Sequence, residues 1–415
     1  MWLPKAQVKQ VGARWLTLVV VVSLGAMAAA PRRTVPRAPV DELPSPTGPG
    51  ARFPSLARAT DGRVAMTWIE RDADSVPTVK VAVRSAADQW GPVRTVVRDS
   101  ALFVNFADYA HVVFLPSGEL VASWLQRGNG TAKYDYGIRV ARSRDGGATW
   151  SKPSPPHPAA ERGEHGFVSL LPMPGGRVGV SFLNGRDQGQ SGGATHVDFA
   201  ALDGAGTVTA PHTLDERACD CCQTASAITA RGPIIAYRDR TSDEIRDIAI
   251  TRLVGTTWTA PQVVTHDNWK ISGCPVNGPA LAATGDRVAL VWFSAARDSA
   301  KVQLAFSSDA GATFGAPVRI DGGQPGGHVD LMLAADGSAY VSWLERTGGE
   351  QLDVRVRRVR RDGVALAPTT LGAVTGVRPS GWPAMVAVRD GLLMAWTVPG
   401  RPTAIRLARM AVDAR

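Results

Sequence analysis

This chain has little that would build a helix. Beyond residue 50 its apolar residues do not recur at helical spacing. Short alternating runs broken by Gly and Asp turns stand in their place, which points away from helical bundles and toward an all-β fold. Clustered positive charge is missing too. Lys and Arg outnumber Asp and Glu by 46 to 37, a formal net charge of +9. They are scattered, however, and Lys5, Lys9 and Arg14 sit in a leader-like start. That argues against nucleic acid as a partner and leaves at most a preference for anionic ones. The N-terminal apolar run, Leu16 to about Ala26, is too short to cross a bilayer comfortably. Cysteine is scarce, with four residues, and so is tyrosine, with five and none after Tyr340.

What is present begins with "MWLPKAQVKQVGARWLTLVVVVSLGAMAAA". A basic segment, an apolar run and then small residues are the layout of a secretory signal peptide, cleaved after Ala28. No cysteine follows the run, which excludes a lipoprotein. The expected organisation is a signal peptide over 1–28, a Pro-rich linker over 29–50 and one folded domain over 51–415. Residues 31–45 could instead dock as a strand. The expected location is periplasmic or secreted, with no membrane span once the leader is removed. A monomer is expected.

The remainder repeats at about 55 residues. The unit is a strand, a Gly turn and a second strand closed by an aromatic residue. It reads "FPSLARATDGRVAMTW", "AHVVFLPSGELVASW", "FVSLLPMPGGRVGVSF", "TASAITARGPIIAY", "GPALAATGDRVALVW", "VDLMLAADGSAYVSW" and "WPAMVAVRDGLLMAW". The closing aromatics are Trp68, Trp124, Phe182, Tyr237, Trp292, Trp343 and Trp396. A third alternating run follows each, and in the first six copies a turn and a short fourth strand follow that. Four-stranded units at this spacing predict a β-propeller, with seven blades, or six if one copy is an irregular insertion. The seventh copy lacks its outer strand, which residues 31–45 could supply.

The turns between third and fourth strands carry a resemblance. "SRDGGATW" (143–150) and "SSDAGATF" (307–314) fit S-x-D-x-G-x-T-[W/F], and "TRLVGTTW" (251–258) is a decayed copy. This pattern is similar to the Asp box of sialidases and related bacterial-neuraminidase-repeat proteins. Locally, Asp145 and Asp309 can accept backbone N–H bonds inside the turn. The resemblance implies a fold, since the Asp box lies on the face opposite a sialidase's active site.

It also implies where to look. In such a propeller the innermost strands start at the functional face. "RFPSLARATDG" resembles the sialidase segment whose Arg grips the substrate carboxylate, and Arg52 takes that position. Aligned on their Gly turns, the repeats bring Asp108, Gly166, Cys221, Asn277, Gly327 and Gly381 to the place of Arg52. His165, Cys222, His328, Trp382 and Cys274 fall within a few positions of it. Arginine recurs just past each closing aromatic: Arg71, Arg127, Arg186, Arg238 with Arg240, Arg297, Arg346 and Arg401. Several have an acid beside them, among them Glu70, Asp72 and Glu345. Two readings are open, a structural Arg–carboxylate repeat tying blades together or an electropositive rim for an anionic ligand.

A sialidase-type mechanism needs three arginines, a Tyr–Glu pair and an Asp acid/base. Arg52 maps, Asp72 or Asp108 could be the acid, and no motif singles out partners among Arg240, Arg246, Arg297 and Arg378. The family's Tyr lies in a late blade, and this chain has no tyrosine after Tyr340. The four cysteines gather near the starts of blades four and five. Cys219, Cys221, Cys222 and Cys274 fit an inter-blade disulfide, a copper or zinc site completed by His165 and His328, or free redox-active thiols. Their pairing has three possibilities. The expectation is an exported sialidase-like propeller without the full sialidase catalytic set. It would bind a small anionic or carbohydrate ligand, or a metal, at an axial Cys/His/Arg pocket with Asn277. The alternatives are an exo-acting glycosidase and a non-catalytic recognition module.

Overall fold

The computed structural model describes residues 40–412 apart from 72, 129–131 and 191–192. The expected signal peptide, the linker up to residue 39 and Asp72 lie outside the described residues. Apart from the one-turn helix Val377–Ser380 and two three-residue 3-10 helices, the described residues are strand and turn. Seven antiparallel sheets follow one another along the chain. Their innermost strands are Arg52–Arg58, His111–Phe114, His165–Met173, Ala225–Thr229, Ala280–Thr284, Pro325–Leu333 and Ala384–Val388. Each of these packs against the next, and the last packs against the first, so the sheets close into a seven-bladed β-propeller.

Blade two is the irregular one. Its fourth position is held by a single bridge, Val140 to Ser154, where the other blades have a paired strand. Blade seven takes its outer strand from the N-terminal side. Val40–Leu43 pairs antiparallel with Ala404–Ala411, Val40 opposite Met410 and Leu43 opposite Leu407. The ring is thus closed by hydrogen bonds between the two ends of the described chain, and Val40–Leu43 is a strand of blade seven, as the gap in the last copy suggested.

The closing aromatics explain the stacking. Each is buried against the preceding blade. Trp68 lies with Ala395 and Leu407 of blade seven, Phe182 with Val121 and Ile138 of blade two, and Trp292 with Ile234 and Ile250 of blade four. Trp343 lies with Val291 and Leu304 of blade five, and Trp396 with Leu344 and Val354 of blade six. A large flat side chain at the same position of every repeat fills the wedge between neighbouring sheets.

The acids beside the rim arginines serve these indoles. Trp68 Nε1 donates to Glu70 Oε2 at 2.9 Å, and Trp343 Nε1 donates to Glu345 Oε2 at 2.5 Å. Glu345 also accepts the backbone N–H groups of Gly322 and Gln324. The expected repeat of Arg–carboxylate ties between blades is therefore replaced, at these two blades, by acid–indole pairs.

The two complete Asp-box-like turns have one hydrogen-bond set. In the first, Asp145 Oδ1 accepts Ser143 Oγ–H (2.8 Å) and Thr149 N–H (2.9 Å), and Oδ2 accepts Thr149 Oγ1–H (2.6 Å). In the second, Asp309 does the same with Ser307 and Thr313 at 2.7, 2.9 and 2.7 Å. These bonds hold both carboxyls down at about 2. The decayed copy has no such acid and forms a small hairpin instead, Thr257–Trp258 pairing back on Leu253 and Val254.

Candidate functional site

The inner strands enter through a recurring kink. Phe53, Phe167, Val276 and His328 have φ between 51° and 57°, a left-handed backbone that costs a non-Gly residue about 1–2 kcal/mol. At most of these places a side chain from another blade holds the kink. Phe53 N–H donates to Thr397 Oγ1 (2.9 Å), Phe167 N–H to Asp108 Oδ2 (2.7 Å), and His328 N–H to Asn277 Oδ1 (2.8 Å). Between blades four and five the acceptor is Gln223 Oε1, which takes Gly278 N–H at 3.1 Å.

These latches revise two expectations. Asp108, proposed as an acid/base, is buried, and its Oδ2 is spent on the backbone of blade three. Burial pushes its carboxyl well above the ordinary range. Asn277, proposed as a ligand contact, is buried with its amide oxygen on His328 N–H and its amide nitrogen on Pro275 O. Both act on the neighbouring chain segment.

The histidines go separate ways. His328 is buried, stacked on Trp382 with ring centroids 3.9 Å apart, and its Nδ1–H donates to Gly381 O at 2.6 Å. Burial lowers it to about 4, so it is neutral at pH 7. His165 stacks on His157 at 4.1 Å with Nε2 3.3 Å from Glu161 Oε2. Neither histidine joins the cysteines among the described residues.

The cysteines themselves divide into a disulfide and a dithiol. Cys221 is bonded to Cys274, tying blade four to blade five with Cα atoms 6.0 Å apart. Cys219 and Cys222 are free and buried, with their sulfurs 3.1 Å apart. Arg246 Nη1 donates to Cys219 Sγ at 3.2 Å.

The donor sets fit a copper or zinc ion poorly as they stand. Among the described residues, three groups bring ligand atoms close enough to share an ion. Two of them contain Cys221, whose sulfur is in the disulfide and supplies no thiolate. The third is His157, Glu161 and His165. There His157 Nε2 accepts Ile138 N–H and Nδ1 lies 3.1 Å from Pro158 O, so both ring nitrogens are occupied.

Sequence reasoning passed over a pair formed by buried Tyr136 and half-buried Glu164. Tyr136 O–H donates to Glu164 Oε1 at 2.6 Å while its ring stacks on Phe103 at 4.0 Å. Burial raises Glu164, and burial with the charges of Asp108 and Glu164 pushes Tyr136 well up. No repeat marks this pair, because it joins the third strand of blade two to the entry of blade three.

Most of the singled-out arginines are already occupied. Arg240 and Arg246 both bind Glu244, at 2.7 and 2.8 Å, and hold its carboxyl down at about 2. Arg71 Nη1 donates to Ser75 O at 2.6 Å, and Arg127 lies 5.0 Å over the Phe103 ring. Arg52 lies close enough to Arg71 for its pKa to be lowered, by burial first and by that charge second. Arg297 sits exposed in a short turn after blade five's second strand.

Arg346 and Arg378 are exposed and, like Arg297, form no salt bridge among the described residues; what sets them apart is a shared cavity. They line one cavity of about 480 Å³ on blades five to seven, whose walls include Phe106, Phe293, Asn277 and His328, with Glu350 beside them. Arg378 lies 5.6 Å over Phe106. A second cavity of about 250 Å³ follows the propeller axis and is lined by the inner strands, with Asp330 on its wall.

No protein-family model matches the chain, and no curated protein matches it. Solved structures do. The polysaccharide lyase Uly1 is 11% identical over 87% of this chain and 90% of that one, with a TM-score of 0.53. A protein of unknown function from Dyadobacter fermentans is 16% identical over 87% and 95%, with a TM-score of 0.51. A mutant alpha-L-arabinofuranosidase from Fusarium graminearum, bound to an iminosugar inhibitor, is 14% identical over 87% and 93%, with a TM-score of 0.50. At such identities the likeness shows the fold alone, the seven-bladed β-propeller that the repeats predicted.

Proposed function

We propose that this chain is an exported binding protein that takes a small acidic saccharide in the cavity on blades five to seven. The observation that carries the reading is the pair Arg346 and Arg378. They are exposed, free of carboxylate partners among the described residues, and set on one cavity of about 480 Å³. Two guanidinium groups facing a common space suit a carboxylate, which each can grip with two parallel N–H donors. Phe106 and Phe293 offer apolar faces for a sugar ring. Neutral His328, whose one proton is on Nδ1, leaves Nε2 as a hydrogen-bond acceptor without adding charge. The saccharide half of the reading draws on the polysaccharide lyase and the arabinofuranosidase, which share the fold. Export draws on the leader-like start and suits the Cys221–Cys274 disulfide.

A glycosidase reading has one observation in its favour, the Tyr136–Glu164 pair with Asp108 nearby. These are the group types a sialidase-type reaction uses. Tyr136 is only 1% exposed, however, so a substrate would not reach its oxygen without a rearrangement.

Titration calorimetry with glucuronate, N-acetylneuraminate and neutral galactose tests the binding reading. The acidic sugars should bind and galactose should not, with affinity falling as salt rises. Arg346→Ala and Arg378→Ala should each weaken binding about tenfold or more. Unchanged affinity in the double variant would end this assignment. Hydrolysis of a fluorogenic sialoside that disappears in Tyr136→Phe would replace it with the enzyme.

A further inference from the structure

The four cysteines take no part in the ligand reading, and their arrangement has a chemistry of its own. Cys219 Sγ lies 3.1 Å from Cys222 Sγ and 3.8 Å from Cys221 Sγ. One free thiol therefore touches both a second free thiol and a disulfide sulfur. A guanidinium is aimed at it. Arg246 Nη1 is 3.2 Å from Cys219 Sγ, and the same side chain is held by Glu244 at 2.8 Å and Asp220 at 3.3 Å. The burial is uneven. Cys219 and Cys222 are shut away, whereas Cys274, the far end of the disulfide, is exposed.

We propose that these residues form an intramolecular thiol–disulfide exchange centre, in which one disulfide moves between the Cys221–Cys274 and Cys219–Cys222 positions. In the first step the Cys219 thiolate, its proton released to solvent, attacks Cys221 Sγ. A Cys219–Cys221 bond forms, the Cys221–Cys274 bond breaks, and Cys274 leaves as a thiolate that takes a proton from water. In the second step the Cys222 sulfur attacks Cys219 Sγ, Cys219–Cys222 forms, and Cys221 leaves with the proton that Cys222 gave up. Two thiols and one disulfide enter, and two thiols and one disulfide emerge. No oxidant or reductant is consumed. The exchange trades a buried dithiol for one that ends at the surface, and it unties blade four from blade five.

The groups facing Cys219 favour it as the attacking sulfur. Its hydrogen bond from Cys222 and the charges of Arg238 and Arg246 outweigh burial and bring it down to about 7. Cys222 is pushed well up by burial and by its neighbour, so it stays a thiol until the second step. Cys274 makes a good leaving group because its thiolate is released into water.

The test is native alkylation of the full chain, purified without reductant. N-ethylmaleimide is added at about pH 6 or about pH 8, and disulfides are then mapped by mass spectrometry of unreduced peptides. Cys274 should be labelled in the folded protein with Cys219–Cys222 as the accompanying disulfide. The rate should be about tenfold higher at the upper pH, following the thiolate fraction of Cys219. In Cys219→Ser the labelling of Cys274 should stop. In Cys222→Ser it should continue, with Cys219–Cys221 trapped. Arg246→Gln should slow the labelling and Arg246→Lys should restore part of it. Wild-type protein whose Cys274 stays unlabelled in the folded state, or labelling that is equal in Cys219→Ser or independent of pH, would overturn the proposal.

Discussion

Replacing Gly166 with alanine is expected to cost about 3 kcal/mol of stability, through the latch between blades two and three. A Cβ at this position would stand 1.9 Å from Asp108 Oδ2 and 3.0 Å from the Tyr136 ring. The carboxylate cannot simply swing aside. It is buried, and the oxygen in question accepts the Phe167 N–H at 2.7 Å. That bond holds a phenylalanine at φ 54°, so moving Asp108 leaves a buried donor unpaired and a left-handed residue unsupported. Gly327 faces the same geometry at the latch between blades five and six. Its Cβ would meet Asn277 Oδ1 at 2.0 Å, and its own φ of 81° adds a backbone penalty. Urea unfolding at neutral pH measures both. Adding Asp108→Ala to Gly166→Ala should recover part of the loss, because the clash goes with the carboxylate. A Gly166→Ala protein within about 0.5 kcal/mol of wild type would refute the latch.

The second large effect concerns Asp330 and pH. Its Oδ1 accepts Leu331 N–H and its Oδ2 accepts Met385 N–H of blade seven, both at 2.7 Å, on the wall of the axial cavity. Burial raises this carboxyl to about 7, against the two hydrogen bonds that lower it. The sign follows from proton counting. Between about pH 4 and 7 the folded chain holds a proton here that the unfolded chain has lost. Stability is therefore fully supported below the unfolded value and falls as pH rises through this window, by about 2–4 kcal/mol in all. Asp330→Asn removes the titration while keeping one acceptor for the blade-seven strand. Its stability should fall by that much less between acid and neutral pH, even if one lost hydrogen bond lowers the whole curve. Parallel pH profiles for variant and wild type would show that Asp330 is ionised throughout.

Much of the architecture could be read in one dimension, because it is built from a local unit repeated. The seven strand–turn–strand copies and their closing aromatics mark positions that meet the same surroundings in every blade. Trp68, Trp292 and Trp343 are accordingly found in equivalent wedges. The turns 143–150 and 307–314 close their hydrogen bonds within eight residues, so their pattern suffices to specify them. The outer strand of blade seven was legible as a gap in the last copy.

The site was legible only as a neighbourhood. Alignment of the repeats brings Asp108, Cys221, Asn277 and His328 toward one face, but it does not say which way each side chain turns. Asp108 and Asn277 turn to backbone N–H groups that lie 59 and 51 residues away in sequence. A backbone donor leaves no signature in side-chain identity, so both looked like free polar groups. Glu70 and Glu345 sit beside arginines in sequence and answer to indoles in space.

What the amino-acid sequence determined by itself was periodic and local: all-β structure, seven units, the wedge aromatics, the turn carboxylates, and four cysteines in two adjoining inner-strand entries. Tertiary structure decided what depends on pairwise distance across the ring. It placed the disulfide at Cys221–Cys274, kept Cys219 and Cys222 as a buried dithiol under Arg246, and parted His165 from His328. It also left Arg346 and Arg378 without a salt bridge among the described residues while Arg240 and Arg246 were neutralised by one glutamate. The reason is geometric. Strand period fixes which residues face inward, whereas partners are chosen by the rotation of each blade against the next, and that rotation is set by packing over the whole ring.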